Sequence, residues 1–382
     1  MDDIDEMDVM DGLDVTDVSV NLLWCVPGQV GGSEDYLVRQ LLGLGDIGSP
    51  VRPTVYVPQG FARAHPELDA VADLVEAPVS GGSRVRRIVA ESTWLFERTA
   101  DHGLVHHGGG TMPVRAHQPT VVTIHDLQYL EYPRYFGRVK RAYLHHVMPR
   151  SADRATVITV PTEFVRGTVI EAYGIEPEAV FVVPHGIETT LGAAATPEAE
   201  LRDRFHLQDG PVVVLPAVTH PHKGHRFLLE VMAAHWRDPA LRLVLIGGAG
   251  AAEDDVLEAI RTLGLGDRVV RTGRLPANDR DGLLRMATAM AFPSEYEGFG
   301  APIVEAMVLG TPVICSDRAC LPEVAGGAAI VLPLDVDAWS GALAEAVSRR
   351  DELVAAGHER AKSFTAARSA QALLGAYRGA AR

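Results

Sequence analysis

Glu297-Gly298-Phe299-Gly300-Ala301-Pro302-Ile303-Val304-Glu305 follows a short apolar run ending in Ala291-Phe292-Pro293 and opens a helical pattern that extends to about Leu309. The order is therefore strand, glycine-rich loop, helix. Pro302 suits the first helical turn, where a missing N–H costs nothing. Glu305 then falls within that turn or just beyond it, near the positive end of the helix dipole. Gly298 and Gly300 lack a Cβ, so backbone N–H groups can approach an anion or a hydroxyl closely. Carboxylates accept hydrogen bonds from paired hydroxyls. Two of them flanking a glycine-rich helix start suit a phosphate with a sugar on either side, which is the outline of a nucleotide sugar.

The same strand-then-helix alternation runs through the rest of the chain, as in parallel α/β architectures. Strands are expected at 18–26, 54–58, 104–107, 121–125, 156–161 and 180–184, and again at 212–216, 241–247, 269–272, 289–293, 313–316 and 329–332. Both sets are nearly continuous in Val, Ile and Leu, which implies sheets covered on both faces. Between them, 188–211 carries a Gly-Ala run, Thr196-Pro197 and Gly210-Pro211, the breaker-rich composition of a linker. The expected organisation is an acidic leader at 1–17, a Rossmann-like domain at 18–187, the linker, a second Rossmann-like domain at 212–365, and a C-terminal helix at 366–382 that packs back on the first domain. Two such domains face each other across a cleft, with ligands beyond the carboxyl ends of the strands.

A length of 382 residues, 47% of them hydrophobic and 22% charged, fits two ordinary cores and excludes a disordered chain. The net charge of −15 argues against a nucleic-acid partner, which would require a basic footprint. Eight acids and no base lie in residues 1–17, so the rest of the chain carries −7. Cys25, Cys315 and Cys320 are odd in number and follow no metal spacing, in keeping with packing roles in a reducing compartment. The first residues do not read as a signal peptide and no apolar run reaches membrane-spanning length, so a cytoplasmic protein is expected.

Several further runs accompany the Glu-x7-Glu stretch: Gly31-Gly32-Ser33, His125-Asp126-Leu127, Pro161-Thr162-Glu163-Phe164, Val183-Pro184-His185-Gly186-Ile187, Pro221-His222-Lys223-Gly224, Gly310-Thr311-Pro312 and Leu321-Pro322-Glu323-Val324. In this order and spacing the chain after residue 17 resembles the retaining family 4 glycosyltransferases of the GT-B fold. The resemblance implies an α/β fold of two Rossmann-like domains and transfer of a hexose from a nucleotide-diphosphate sugar to a hydroxyl of a glycan or lipid-linked acceptor. The donor would lie on the second domain and the acceptor on the first. It implies that Glu305 binds the donor ribose and that Glu297, with the N–H groups of Phe299 and Gly300, holds the sugar. Lys223 would neutralise the diphosphate, and Gly31 and Gly32 would let their loop touch it, with Ser33 as helix cap. His125 would face the reacting sugar. Catalysis would then rest on His125, Lys223 and Glu297 without a covalent intermediate, a cofactor or a metal. The run Thr123 to Leu127 with Tyr132-Pro133 and Phe136 is most similar to the mannosyltransferase branch, which makes GDP-mannose the first donor and other nucleotide hexoses or deoxyhexoses the next.

One position departs from the pattern. Many relatives carry an arginine five residues before the lysine, where this chain has Val218. His220, His222 or Arg274 would have to replace that cation. His220, His222 and His225 also make a weak metal pattern that lacks a carboxylate, and Gly247-Gly248-Ala249-Gly250 resembles a dinucleotide loop in which Glu253 stands at the third glycine's place. Gly247 is better read as a donor contact. On the acceptor side stand His107, in the run His106 to Gly110, with Asp126, Arg138 and Arg141. The last two belong to a basic, aromatic segment, 134–154, that serves either as a docking face for anionic lipid on the inner side of the membrane or as a solvated helix surface. A nucleotide-sugar epimerase or hydrolase, or a non-catalytic nucleotide-sugar-binding protein, would share the same fold.

Overall fold

The computed structural model describes residues 17–188 and 190–382; the acidic stretch 1–16, and with it nearly all of the expected leader, lies outside the described residues. Asp17 belongs to the folded body, since its Oδ1 meets His102 Nδ1 at 2.6 Å and its Oδ2 accepts from the Gly103 N–H at 3.2 Å.

Two all-parallel sheets organise the chain. The first holds β1 (Val18–Asn21), β2 (Thr54–Val57), β3 (Asp73–Glu76), β4 (Leu104–His107), β5 (Thr120–Thr123), β6 (Val157–Val160) and β7 (Val180–Val182), in the order β3-β2-β1-β4-β5-β6-β7. The second holds β8 (Val212–Pro216), β9 (Arg242–Ile246), β10 (Val269–Gly273), β11 (Ala289–Phe292), β12 (Val313–Ser316) and β13 (Ile330–Leu332), in the order β10-β9-β8-β11-β12-β13. Both orders reverse direction beside their first strand. The switch points, β1/β4 and β8/β11, are where doubly wound sheets bind ligands.

β3 is the strand that sequence reading does not anticipate. It is a sheet edge whose Asp73 and Glu76 face solvent, so it lacks the apolar run of a strand covered on both faces. The expected β1 is also shorter: after Asn21 the chain turns at Leu22 to Cys25.

The helices that frame the cleft are α1 (Gly32–Asp46), α2 (Arg84–Ala90), α3 (Gln128–Glu131), α4 (Arg138–Arg154), α5 (Glu163–Tyr173), α6 (Glu198–Phe205), α7 (His225–Ala234), α8 (Ala301–Val308) and α9 (Ala366–Ala380). The stretch read as a linker contains α6, whose Leu201 is fully buried in the second core. Breaker residues at each end hid a helix whose remaining face is charged. α9 packs in the first core: Ala370, Leu373, Ala376 and Tyr377 are buried with residues of β1 and α1. Gly43 of α1 permits this approach, because a Cβ there would stand 2.3 Å from the Ala366 carbonyl oxygen. The two chain crossings between the sheets run side by side, with Ile187 bridged to Thr365 and the Ile187 N–H bonded to Phe364 O at 2.7 Å. Cys25, Cys315 and Cys320 are buried free thiols, and no helix among the described residues is long and apolar enough to cross a membrane.

Candidate functional site

The loops after β8 and β11 meet at the switch point of the second sheet. A one-turn 3₁₀ segment, Pro221–Lys223, ends at Gly224, whose φ of 71° belongs to the left-handed region and whose position leaves no space for a Cβ beside the Pro293 carbonyl. This places Lys223 against the β11 loop, where its Nζ lies 2.6 Å from Glu297 Oε1. Gly300, at φ 85°, caps α8. Among the described residues the N–H groups of Phe299 and Gly300 find no protein acceptor, leaving two donors beside the Lys223–Glu297 pair. The Phe299 ring stacks on His185 of the first domain at 5.2 Å.

Glu305 lies one turn further along α8 and is 5% exposed. Its Oε1 accepts from Arg39 Nη2 of α1 at 3.0 Å, and Arg39 Nε reaches Glu188 Oε1 at 2.9 Å. Burial opposes ionisation of Glu305, but Arg280 and Arg39 outweigh it and hold the carboxyl below the usual carboxylate range. Arg39, itself 4% exposed, is pushed above its already high value by Glu305 and Glu188 against the effect of burial.

From the first domain, Gly31 caps α1 at φ 76°, and neither Gly31 nor Gly32 would bring a Cβ within 4 Å of another atom, so the loop faces open space. Ser33 does not cap: the helix begins one residue earlier, at Gly32, and has no side-chain cap. Instead Glu34 Oε2 accepts from the Gly28 N–H at 2.9 Å and Oε1 meets His65 Nε2 at 2.8 Å.

Arg274 extends from the second domain to the Gly28 carbonyl, beside this loop. The two histidines that compete with it for the role of the missing cation are neutral at pH 7. Burial, then Lys223, lowers His220, and the same two causes bring His222 to about 4. Their rings stack at 5.8 Å, while His225 Nε2 turns to the Ala217 carbonyl. Arg274 is therefore the cation in reach of the glycine loop.

His125 sits at the end of β5 with Trp24 and Tyr36 against its ring. Its Nε2 donates to the Gly108 carbonyl at 2.8 Å, which fixes the tautomer and leaves Nδ1 as an acceptor. Burial lowers its pKa, so it is a neutral ring and a weak base. Asp126 accepts from the Gln128 N–H at 2.9 Å and closes the turn into α3.

Three expectations need correction. His107 is not in a cleft-facing loop: it is 1% exposed within β4, with Nδ1 3.2 Å from Asn21 Nδ2, and His106 beside it bonds Tyr377 of α9. β4 has the expected bounds, and both histidine side chains point into the sheet's covered faces. Gly298 does not open space for a ligand, because a Cβ there would stand 2.1 Å from the His125 carbonyl oxygen; it is one of the points where the domains touch. Gly247 likewise packs against the Ala217 carbonyl, leaving no gap for a side chain. Glu253, at the third glycine's place, is used by Thr219 and Arg271. Arg138 and Arg141 lie on the exposed start of α4.

Sequence reading passes over Arg39, Glu188, Arg280 and Tyr296. Arg39 reads as one more helix-surface arginine, since nothing local marks it as buried. Glu323, in the run Leu321-Pro322-Glu323-Val324, accepts with its carboxylate from the N–H groups of Glu163 and Phe164, both at 2.9 Å, capping α5 across the domain boundary.

Comparison with known proteins matches residues 30–191 to the family described as Glycosyltransferase Family 4 and residues 198–364 to that described as Glycosyl transferases group 1. The chain is 28% identical to the O-antigen chain mannosyltransferase B of Escherichia coli over 279 residues, 71% of this chain and 73% of that enzyme. It is 30% identical to the alpha-maltose-1-phosphate synthase of Mycolicibacterium smegmatis over 393 aligned positions, 92% of this chain and 96% of that one. Among solved structures, the fold superposes on Anabaena HepE in complex with UDP and glucose with a TM-score of 0.73 at 19% identity, covering 94% and 98% of the two chains. The paired Rossmann-like sheets are thus a GT-B fold, and with both halves matched and a relative aligned over almost its whole length, the chain belongs to the family 4 glycosyltransferases.

Proposed function

We propose that the enzyme transfers a hexose, mannose from GDP-mannose in the first instance, from a nucleotide-diphosphate sugar to an acceptor hydroxyl with retention of anomeric configuration. The observation that carries this reading is the convergence of Lys223, Glu297 and the free Phe299 and Gly300 N–H groups at one switch point, facing the open Gly31-Gly32 loop. Glu305 holds the ribose, Lys223 and Arg274 supply charge to the diphosphate, and His125 Nδ1 accepts from a sugar hydroxyl. The C1–O bond to the phosphate breaks as the acceptor oxygen bonds C1 on the same face, and the acceptor proton passes to the departing phosphate. No side chain need act as a strong base, which accords with a neutral His125. The rate enhancement comes from positioning and from cationic stabilisation of the leaving group. With two cations beside the diphosphate, no resident metal is required.

Support for the donor comes from two directions: mannosyltransferases stand among the relatives, and a structural neighbour binds UDP. A thermal-shift panel of UDP, GDP, ADP and their hexose conjugates decides the base. Proton NMR of the first-formed product decides the stereochemistry, and an inverted anomer would refute the front-face route.

Peripheral membrane contact is part of the same proposal. α2 and the start of α4 adjoin through Arg84 over the Tyr143 ring at 5.8 Å, and they expose Val85, Val89 and Val139 among Arg84, Arg86, Arg138, Lys140 and Arg141. Apolar side chains set among arginines suit an anionic bilayer surface. Sedimentation with vesicles containing phosphatidylglycerol, compared with vesicles of phosphatidylcholine alone, tests it.

A further inference from the structure

Glu34 stands in the first turn of α1, directly after the Gly31-Gly32 loop, and is 6% exposed. It turns back on that loop: Oε2 accepts from the Gly28 N–H at 2.9 Å, and its own N–H donates to the Gly31 carbonyl at 2.9 Å. Gly28 is held at φ 70°, in the left-handed region, and its carbonyl receives Arg274 of the second domain. The loop closed in this way leaves the N–H groups of Val30, Gly31, Gly32 and Ser33 without a protein acceptor among the described residues. Consecutive free N–H groups at the start of a helix form a seat for an anion.

A carboxylate is a poor neighbour for such a seat. It takes up the positive end of α1 and repels a second anion. His65, between the short helix Phe61–Ala64 and the turn Pro66–Ala70, offsets that charge. Its Nε2 meets Glu34 Oε1 at 2.8 Å and its Nδ1 meets Glu67 Oε1 at 3.0 Å. An ionised carboxylate only accepts hydrogen bonds, and a neutral imidazole has a single N–H to give. Two carboxylates on the two ring nitrogens therefore call for the imidazolium. The hydrogen bond to Glu34 raises the His65 pKa above its ordinary value, and Glu67 adds to this against the effect of burial. The uncharged ring of Phe61 packs on His65 with centroids 4.6 Å apart. Cys25 and Asp35, the other titratable groups near Glu34, are shifted upward chiefly by burial, and Cys25 stays a thiol.

We propose that Glu34 and His65 are positioning residues for the donor diphosphate: Glu34 fixes the glycine loop through the Gly28 N–H, and the His65 imidazolium cancels the carboxylate charge so that the loop can receive an anion. The inference rests on the reading above that this loop touches the donor diphosphate, and it adds a pH dependence to donor binding. Affinity is greatest while His65 is protonated. It falls as pH rises through the raised His65 pKa, because a neutral ring serves only one carboxylate and no longer offsets Glu34.

The probes are GDP-mannose and UDP-glucose, whose phosphates do not titrate between about pH 6.5 and pH 8.5. Calorimetric titration of the full-length enzyme should show Kd rising about threefold to tenfold across that range, the scale of one partly screened charge. His65→Gln should bind with the weak, alkaline value at every pH. Glu34→Ala should weaken binding about tenfold without a pH slope. Glu34→Gln keeps an acceptor for the Gly28 N–H and carries no charge, so it should recover most of that loss and also bind without a slope. A role in folding alone would lower the thermal midpoint of these variants and leave the slope in place. In the enzyme without donor, the Gly28 amide resonance should follow the His65 titration and become independent of pH in His65→Gln. Donor binding without a pH slope in the unmodified enzyme, a slope that persists in His65→Gln, or a Gly28 resonance indifferent to His65 overturns the proposal. If Gly28 follows His65 but neither nucleotide sugar binds at any pH, it is the donor reading that has failed, and the proposal falls with it.

Discussion

Arg39 on the first helix of one domain and Glu305 on the helix that carries the second glutamate of the signature are joined across the cleft, Nη2 to Oε1 at 3.0 Å, with both side chains almost fully buried. The residue proposed to hold the donor ribose is therefore also a tie between domains. Removing one member of a buried, hydrogen-bonded pair leaves the other uncompensated, at about 3–5 kcal/mol. Arg39→Met should lower stability on that scale, and Arg39→Lys should recover only part of it because a single ammonium cannot serve both Glu188 and Glu305. Urea denaturation of the three proteins measures this.

The same tie has a pH dependence with a definite sign. Arg280 and Arg39 hold the Glu305 carboxyl below its unfolded value, so its contribution is complete above about pH 4.3, the ordinary glutamate pKa. It is lost as pH falls through the depressed value. Unfolding midpoints between pH 6 and pH 3 should fall in the acid range, and less steeply in Glu305→Gln.

Lys223 and Glu297 form one unit. Lys223→Ala should reduce kcat by roughly 10²–10³, the scale of removing a preorganised electrostatic contact. Because Lys223 and Glu297 touch, the double variant Lys223→Ala/Glu297→Gln should lose less than the product of the single losses. Single-turnover kinetics with saturating donor separates that outcome from simple additivity.

Arg274, rather than a histidine, should supply the cation missing at Val218. Loss of one charge-assisted contact is worth about 1.5–3 kcal/mol, so Arg274→Ala should weaken nucleotide diphosphate binding tenfold or more. His222→Gln, removing a ring that burial and Lys223 hold neutral with a pKa of about 4, should leave it nearly unchanged at pH 7. Calorimetric titration with GDP and UDP checks both.

Gly298→Ala would direct a Cβ into the His125 carbonyl, 2.1 Å away. The two domains must then separate locally, at about 1–3 kcal/mol for overpacking. Transfer should fall much more than donor affinity, which depends on the second domain. A wider small-angle scattering profile would accompany the loss, and normal transfer would show that the contact is dispensable.

The alternation of Val-rich strands and helices, and the Glu297-to-Glu305 run with its glycines and Pro302, were legible because each is a local pattern: strand runs, turn residues and helix starts follow from neighbours a few positions apart. On that basis the two sheets and the loop that carries Glu297 and Glu305 could be named, whereas Lys223 entered through the resemblance to the family. β3 and α6 escaped because an edge strand needs no apolar run and a one-face helix between breakers resembles a linker. Burial of His107, the contact of Arg274 with the Gly28 carbonyl, the tie from Arg39 to Glu305 and the approach of Gly298 to His125 were decided by tertiary structure. Those contacts join residues far apart in the chain, 266 positions in the case of Arg39 and Glu305. Local propensity carries no record of them; they exist because two separately folded sheets close over one cleft, where burial and opposite charge select the partners.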